Sequence, residues 1–222
     1  VLADDGPHDN LAARVNARVE RGEWLPLTRT PRAAPDGTES GMLLRTLPLA
    51  FHRNGQRPDV RAQRAAEVLH HPNGGATATT AAFFYTELLW GLSTADTFED
   101  ALYGAQEVVN DHLDTLDLPV EARERFDRLL VLDITRLPDY RISCDGGLIA
   151  TLEAAVWSVF DSDDLVDAVH ECSDFNRGAG TVAGTLAALV YARTGFGGIP
   201  EKWTLWIPHR DAFETLLARI GA

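Results

Sequence analysis

Apolar residues recur at three- and four-residue intervals along most of the chain, and strict alternation never persists, so the pattern predicts helices. Leu11, Val15 and Val19 fall four apart and place a first helix over about His8 to Arg21. Trp24 to Gly41 then holds Pro26, Pro31, Pro35, Gly37 and Gly41, which break helix and predict a long loop. Loops of that length in compact domains commonly carry function. Met42 to His52 resumes an apolar pattern, with Pro48 expected to kink or end the helix. Val60 to His70 reads as a short amphipathic helix stopped by Pro72 and the Gly74-Gly75 pair. Ala76 to Leu92 carries Phe83, Phe84, Tyr85 and Trp90 in an almost wholly apolar run, which predicts a helix at the centre of the core.

Thr97, with Asp100 three residues on, predicts a helix start, and the pattern extends that helix to about Leu116. Pro119 and Glu121 open another that ends before Pro138. Gly147 to Phe160 is apolar around Leu148, Leu152, Val156 and Trp157. Ser162 is placed to cap a helix from Asp163 to about Cys172. Gly178 to Arg193 is rich in Ala and Gly, which allows close packing, and Asp211 to Ile220 predicts a closing amphipathic helix. Eight or so helices joined by short connections predict an all-α globular bundle forming a single domain over 1–222.

The balance of 45% apolar and 24% charged residues over 222 positions is that of a globular protein with a sizeable core. Twenty Lys and Arg against 33 Asp and Glu give a formal net charge of -13, a field that repels nucleic acid but not a small polyanion held by metal ions or local arginines. Cys144 and Cys172 show no zinc or redox spacing, so two free thiols in a reducing, cytoplasmic setting are expected, with a single disulfide as the alternative. The longest apolar run, Thr181 to Ala192, is too short to cross a bilayer, and no membrane association is expected. Val1 in the place of Met is consistent with a processed or truncated chain.

Candidate chemistry concentrates in Ser173-Asp174-Phe175-Asn176-Arg177, followed by Gly178-Ala179-Gly180. Asp174 and Asn176, two apart on a polar turn, offer converging oxygen donors of the kind a hard cation such as Mg²⁺ requires. The glycines allow a ligand close to backbone, and a helix start favours anions. The same residues also fit a plain helix cap with glycines for packing.

This turn, with Val182-Ala183-Gly184 and Gly198-Ile199-Pro200-Glu201-Lys202-Trp203 behind it, resembles the ADP-ribosylglycohydrolase family, whose members carry Gly-Gly-Asp-x-Asp-Thr, an Ala-Gly helix, and Ile-Pro-x-x-Trp. Ala155-Val156-Trp157 resembles the end of the family's preceding apolar helix. Upstream, Ser40 to Leu49 is similar to its Asn-Gly-Ala-x-Met-Arg-x-x-Pro-Leu segment, and His70-His71-Pro72-Asn73 to its Thr-His-x-x-Pro turn. The resemblance covers about residues 41–203 in the right order, leaving 1–40 poorly matched and 204–222 as a closing helix.

The resemblance implies an all-α hydrolase of the glycosidic bond between ADP-ribose and a protein side chain or related acceptor, using two divalent cations, usually magnesium. Asp174 and Asn176 then take the C-terminal metal positions, and Ser40, Gly41, Arg45, Arg177 and Gly178 the ligand positions. Expected partners are an ADP-ribosylated protein or a small ADP-ribose-like ligand. Three departures bear on activity. Asn176 replaces an aspartate and brings no charge, Arg177 replaces a threonine, and the family's N-terminal Thr-Asp-Asp-Thr cluster has only Asp4-Asp5 as an echo. A non-catalytic binding protein on the same scaffold, or a module for another nucleotide-like ligand, therefore stands beside the hydrolase reading.

Other polar groupings read as surface. Asp161, Asp163 and Asp164 complement a helix start, Asp111 and Asp114 share an exposed face, and His70 and His71 sit at a helix end. Tyr140 and Arg141, ahead of the Gly146-Gly147 turn, are further candidates to meet a ligand.

Overall fold

The computed structural model describes residues 41–51, 57–69, 75–116, 120–142, 147–162 and 210–220, with 166, 168, 202 and 205 singly. The chain divides into two compact units, residues 30–199 and residues 1–29 with 200–222. All regular structure among the described residues is helical, so the fold is all-α as the periodicity predicts. The expected helices over His8 to Arg21 and Gly178 to Arg193 lie outside the described residues.

In the larger unit α1 spans Gly41–Phe51, α2 Pro58–Val68, α3 Gly75–Thr94, α4 Phe98–Asn110, α5 Val120–Leu130 and α6 Leu148–Asp161. Helix α3 is the axis of this unit, packed by α1, α2, α4 and α6. Every residue from Ala81 to Leu89 is buried, which its nearly uninterrupted apolar composition requires. Helix α6 is the second core helix, buried at all but one position from Leu148 to Val159.

The α3–α4 contact depends on Gly91. A Cβ there would sit 3.0 Å from both Cα and O of Ala101, so the two backbones approach as closely as they do only because position 91 has no side chain. Helix α4 opens as the sequence predicts. Thr97 Oγ1 accepts from the Asp100 amide at 3.0 Å and donates to Asp100 Oδ2 at 2.7 Å. Its buried face is Phe98, Ala101, Leu102, Ala105 and Val109. Two amides on α4 then serve the end of α5. Gln106 Nε2 donates to the Leu129 carbonyl and Asn110 Nδ2 to that of Leu130, both at 2.8 Å, satisfying oxygens that a helix end leaves open.

One boundary differs from the sequence reading and two are made sharper. Helix α1 continues through Pro48 rather than ending there. Leu44, whose carbonyl loses its partner at Pro48, lies with Pro48 on the exposed face, so the lost hydrogen bond is not in the core. Helix α4 stops at Asn110 instead of about Leu116. The His112 amide turns to the Val109 carbonyl and its ring nitrogen lies 2.8 Å from the Val108 oxygen, and a 3₁₀ turn follows over Leu113–Leu116. Helix α5 ends at Leu130, well before Pro138, and two 3₁₀ turns, Ile134–Arg136 and Asp139–Arg141, lead toward α6. Trp157 Nε1 fixes this stretch by donating to the Leu137 carbonyl at 2.8 Å.

In the smaller unit α7 spans Arg210–Ile220 and carries an Arg210–Glu214 pair one turn apart at 2.6 Å.

Replacing Gly91 with Ala is expected to destabilise the chain by about 1–3 kcal/mol, because backbone rather than a movable side chain blocks the methyl. Thr97→Ala is expected to cost about 1 kcal/mol through the lost cap. Urea unfolding monitored by far-UV circular dichroism measures both.

Candidate functional site

The family-like segment that begins the larger unit's helices has one face fixed and one face open. Leu43, Thr46 and Ala50 are buried, and Thr46 Oγ1 is satisfied internally by donating to the Leu43 carbonyl at 2.8 Å. Arg45 lies on the exposed side, one turn after Gly41, and its guanidinium makes no ion pair among the described residues. A cation held on a packed helix, with no ion pair among the described residues, is suited to meeting an anionic group.

Of the candidate site residues, Gly41 and Arg45 are placed at the start and on the second turn of α1. Ser40, Asp174, Asn176, Arg177 and Gly178 lie outside the described residues, as do His70 and His71. Among the described residues, no three His, Cys, Asp or Glu side chains gather in a way that could hold a metal ion. Asp111 and Asp114 are exposed, the latter paired with Arg123 at 2.8 Å, in accord with a surface role. His112 packs its ring edge-on against Phe83. Tyr140 is 79% exposed, with the Arg141 guanidinium 6.0 Å from its ring centroid.

The polar groups that the sequence reading passed over are the buried ones. Glu87 stands in the middle of α3, and Arg61 of α2 meets it in a bidentate pair, Nε to Oε1 at 2.7 Å and a terminal nitrogen to Oε2 at 2.8 Å. Their side chains are only 4% and 11% exposed respectively. Glu153, equally central in α6, has Arg128 of α5 at 3.4 Å, and Arg128 also donates to the Arg141 carbonyl at 2.6 Å. Each core helix thus carries one buried acid matched by an arginine from a flanking helix. The signal was available: a lone carboxylate within an apolar run is costly to bury unless a counter-ion reaches it. Tyr85, beside this region on α3, has a buried hydroxyl without a hydrogen-bond partner among the described residues, and burial pushes its phenol well above the usual range, so it stays neutral.

The model of a known family, described as ADP-ribosylglycohydrolase, matches residues 5–222. The chain belongs to the ADP-ribosylglycohydrolase family. Within that family it is similar to a protein named ADP-ribosylarginine hydrolase Tri1 from Serratia proteamaculans (strain 568), 36% identical over 79 residues, which are 36% of this chain and 22% of the relative. It is similar too to a protein of the same name from Pseudomonas putida (strain GB-1), 33% identical over 72 residues, 31% of this chain and 19% of that one. The matched stretches span about a fifth of each relative's length. The resemblance seen in Ser40 to Leu49 and Ser173 to Trp203 is thus that of a true family member.

Removing the arginine from the α2–α3 pair tests what holds this region together. Arg61→Met is expected to cost about 3 kcal/mol or more, because the Glu87 carboxylate remains buried without that counter-ion. The double variant Arg61→Met, Glu87→Leu is expected to recover much of the loss. Chemical denaturation of the two single variants and the double variant gives the coupling.

Proposed function

We propose that this chain is a metal-dependent hydrolase that cleaves the glycosidic bond of an ADP-ribosylated protein or a related ADP-ribose compound. The observation that carries the reading is the acid and amide pair Asp174 and Asn176, in the family's motif order, within a family match that runs almost the length of the chain. The names of the two Tri1 relatives point to arginine as the acceptor side chain.

The donor chemistry fits a magnesium ion: a carboxylate and an amide carbonyl are both hard oxygen ligands. Asp174 and Asn176 would hold the cation, which would supply positive charge to polarise ribose hydroxyls and water. Hydrolysis joins the water oxygen to the ribose anomeric carbon, breaks the bond from that carbon to the acceptor, and delivers a proton to the acceptor. In this reading Arg45 and Arg177 bind the pyrophosphate as guanidinium donors, while Gly41 and Gly178 let the ligand reach backbone and Ser40 offers a hydroxyl. The expected setting is the cytoplasm, where ADP-ribosylated proteins and magnesium are both at hand.

Asn176 and Arg177 favour a second reading in which the scaffold binds ADP-ribose without turning it over. An uncharged ligand weakens the hold on the cation, and an adjacent arginine competes with it.

Release of ADP-ribose from an ADP-ribosylated arginine peptide, with and without magnesium, separates the two readings. The hydrolase reading expects release that requires the metal and that falls by about two orders of magnitude in Asp174→Ala. Were Asp174 only a helix cap, the same substitution would lower stability by about 1 kcal/mol and leave magnesium binding untouched. Asn176→Asp is expected to tighten magnesium binding by about tenfold in titration calorimetry, since it restores a charge to the ligand set. Binding of ADP-ribose with no release under any condition would establish the second reading instead.

A further inference from the structure

Helix α1 has the composition of a core helix but leaves one side uncovered. Arg45 is its single charged residue in eleven, whereas α2 carries four and α5 six over the same length. Leu43, Thr46 and Ala50 make up its buried side. Leu44, Pro48 and Phe51, at i, i+4 and i+7, form an apolar stripe about 10 Å long on the opposite side. Leu44 is 39% exposed and Phe51 48%. A solvent-facing helix side ordinarily carries polar and charged residues, so a contiguous apolar stripe marks a surface made for contact.

We propose that this stripe receives the acceptor polypeptide of an ADP-ribosylated substrate and favours apolar and acidic residues beside the modified arginine. The inference rests on the reading above, in which Gly41 and Arg45 hold the ADP-ribose.

Two observations name that occupant. The first is continuity with the ligand positions. Arg45 borders the stripe, and Phe51 at its far end is less than two turns further along the same helix. A polypeptide tied covalently to an ADP-ribose held at Arg45 is therefore brought within reach of the stripe. The second is charge. From Gly41 to Pro58 the sequence holds three arginines and no acid, so all 33 Asp and Glu lie elsewhere. Arg57, the last of the three, meets Asp59 at 2.7 Å, while Arg45 makes no ion pair among the described residues. An acidic segment, repelled by a chain of net charge -13 at large, is not repelled by this stretch. A second copy of the chain fits less well, because two molecules of that charge repel each other.

The test uses the full chain and three probes with the same scissile bond. One is ADP-ribosylated N-acetylarginine amide. The other two are peptides with a central ADP-ribosylated arginine, flanked by Leu, Phe and Glu in one and by Ser and Lys in the other. The KM for release of ADP-ribose is expected to be about fivefold lower for the Leu/Phe/Glu peptide, with kcat alike for the two. Leu44→Gln combined with Phe51→Gln should remove that difference and leave turnover of the single-residue probe unchanged. Both positions are exposed, and thermal unfolding of the variant checks that the fold is kept. Calorimetry with the same probes and with free ADP-ribose separates the two possible failures. Binding without release would end the hydrolase reading, and the peptide preference is then read from Kd with the same expected ratio. Equal values for the two peptides would overturn the docking proposal and leave the hydrolase reading standing. No binding of any probe would overturn both. A preference that persists in the double variant would also overturn the proposal. So would a loss of stability in that variant with the preference unchanged, or a concentration-dependent dimer that the variant abolishes.

Discussion

Two carboxylates are buried within the core helices, and the way each meets an arginine constrains how the flanking helices pack. Glu87 in α3 is reached by Arg61 of α2 and Glu153 in α6 by Arg128 of α5. Apolar faces would let α2 slide or rotate on α3 with little change in energy, whereas a bidentate contact is satisfied at a single register. Burial supplies the drive for these helices to pack, and the charge pairs restrict where they pack.

The helices were legible because their apolar spacing is regular and their starts carry side-chain signals. Thr97 and Asp100 form the cap that their spacing implies, and the aromatic run of α3 is buried as a helix apolar on every side must be. Ends were harder to read. Proline at position 48 is compatible with helix because the open carbonyl faces solvent, a fact that depends on which side of α1 packs and not on the local sequence. The end of α4 at Asn110 likewise depends on α5, whose last carbonyls engage Gln106 and Asn110.

The site was legible through motif order rather than local chemistry. Asp174 and Asn176 taken alone are as compatible with a cap as with a ligand pair, and only the succession of segments from Ser40 to Trp203 separates the two. Arg45 shows what coordinates add, since its outward position without an ion pair among the described residues cannot be read from the residue type. The pairing of the two buried glutamates with arginines could have been anticipated from single acids in apolar runs, but each arginine is 25 or so positions away and no spacing rule identifies it.

The Arg61–Glu87 contact also bears on how this sequence can change over generations. A hydrophobic pair of similar bulk would serve the packing as well, yet neither position reaches it easily alone, because each single step breaks a bidentate ion pair and leaves the remaining buried charge without that partner. The two sites are therefore epistatic: drift at one is closed while the other stands. Lineages are expected to retain the pair or to lose both members together, which makes joint variation at these positions a marker of descent rather than of catalytic need.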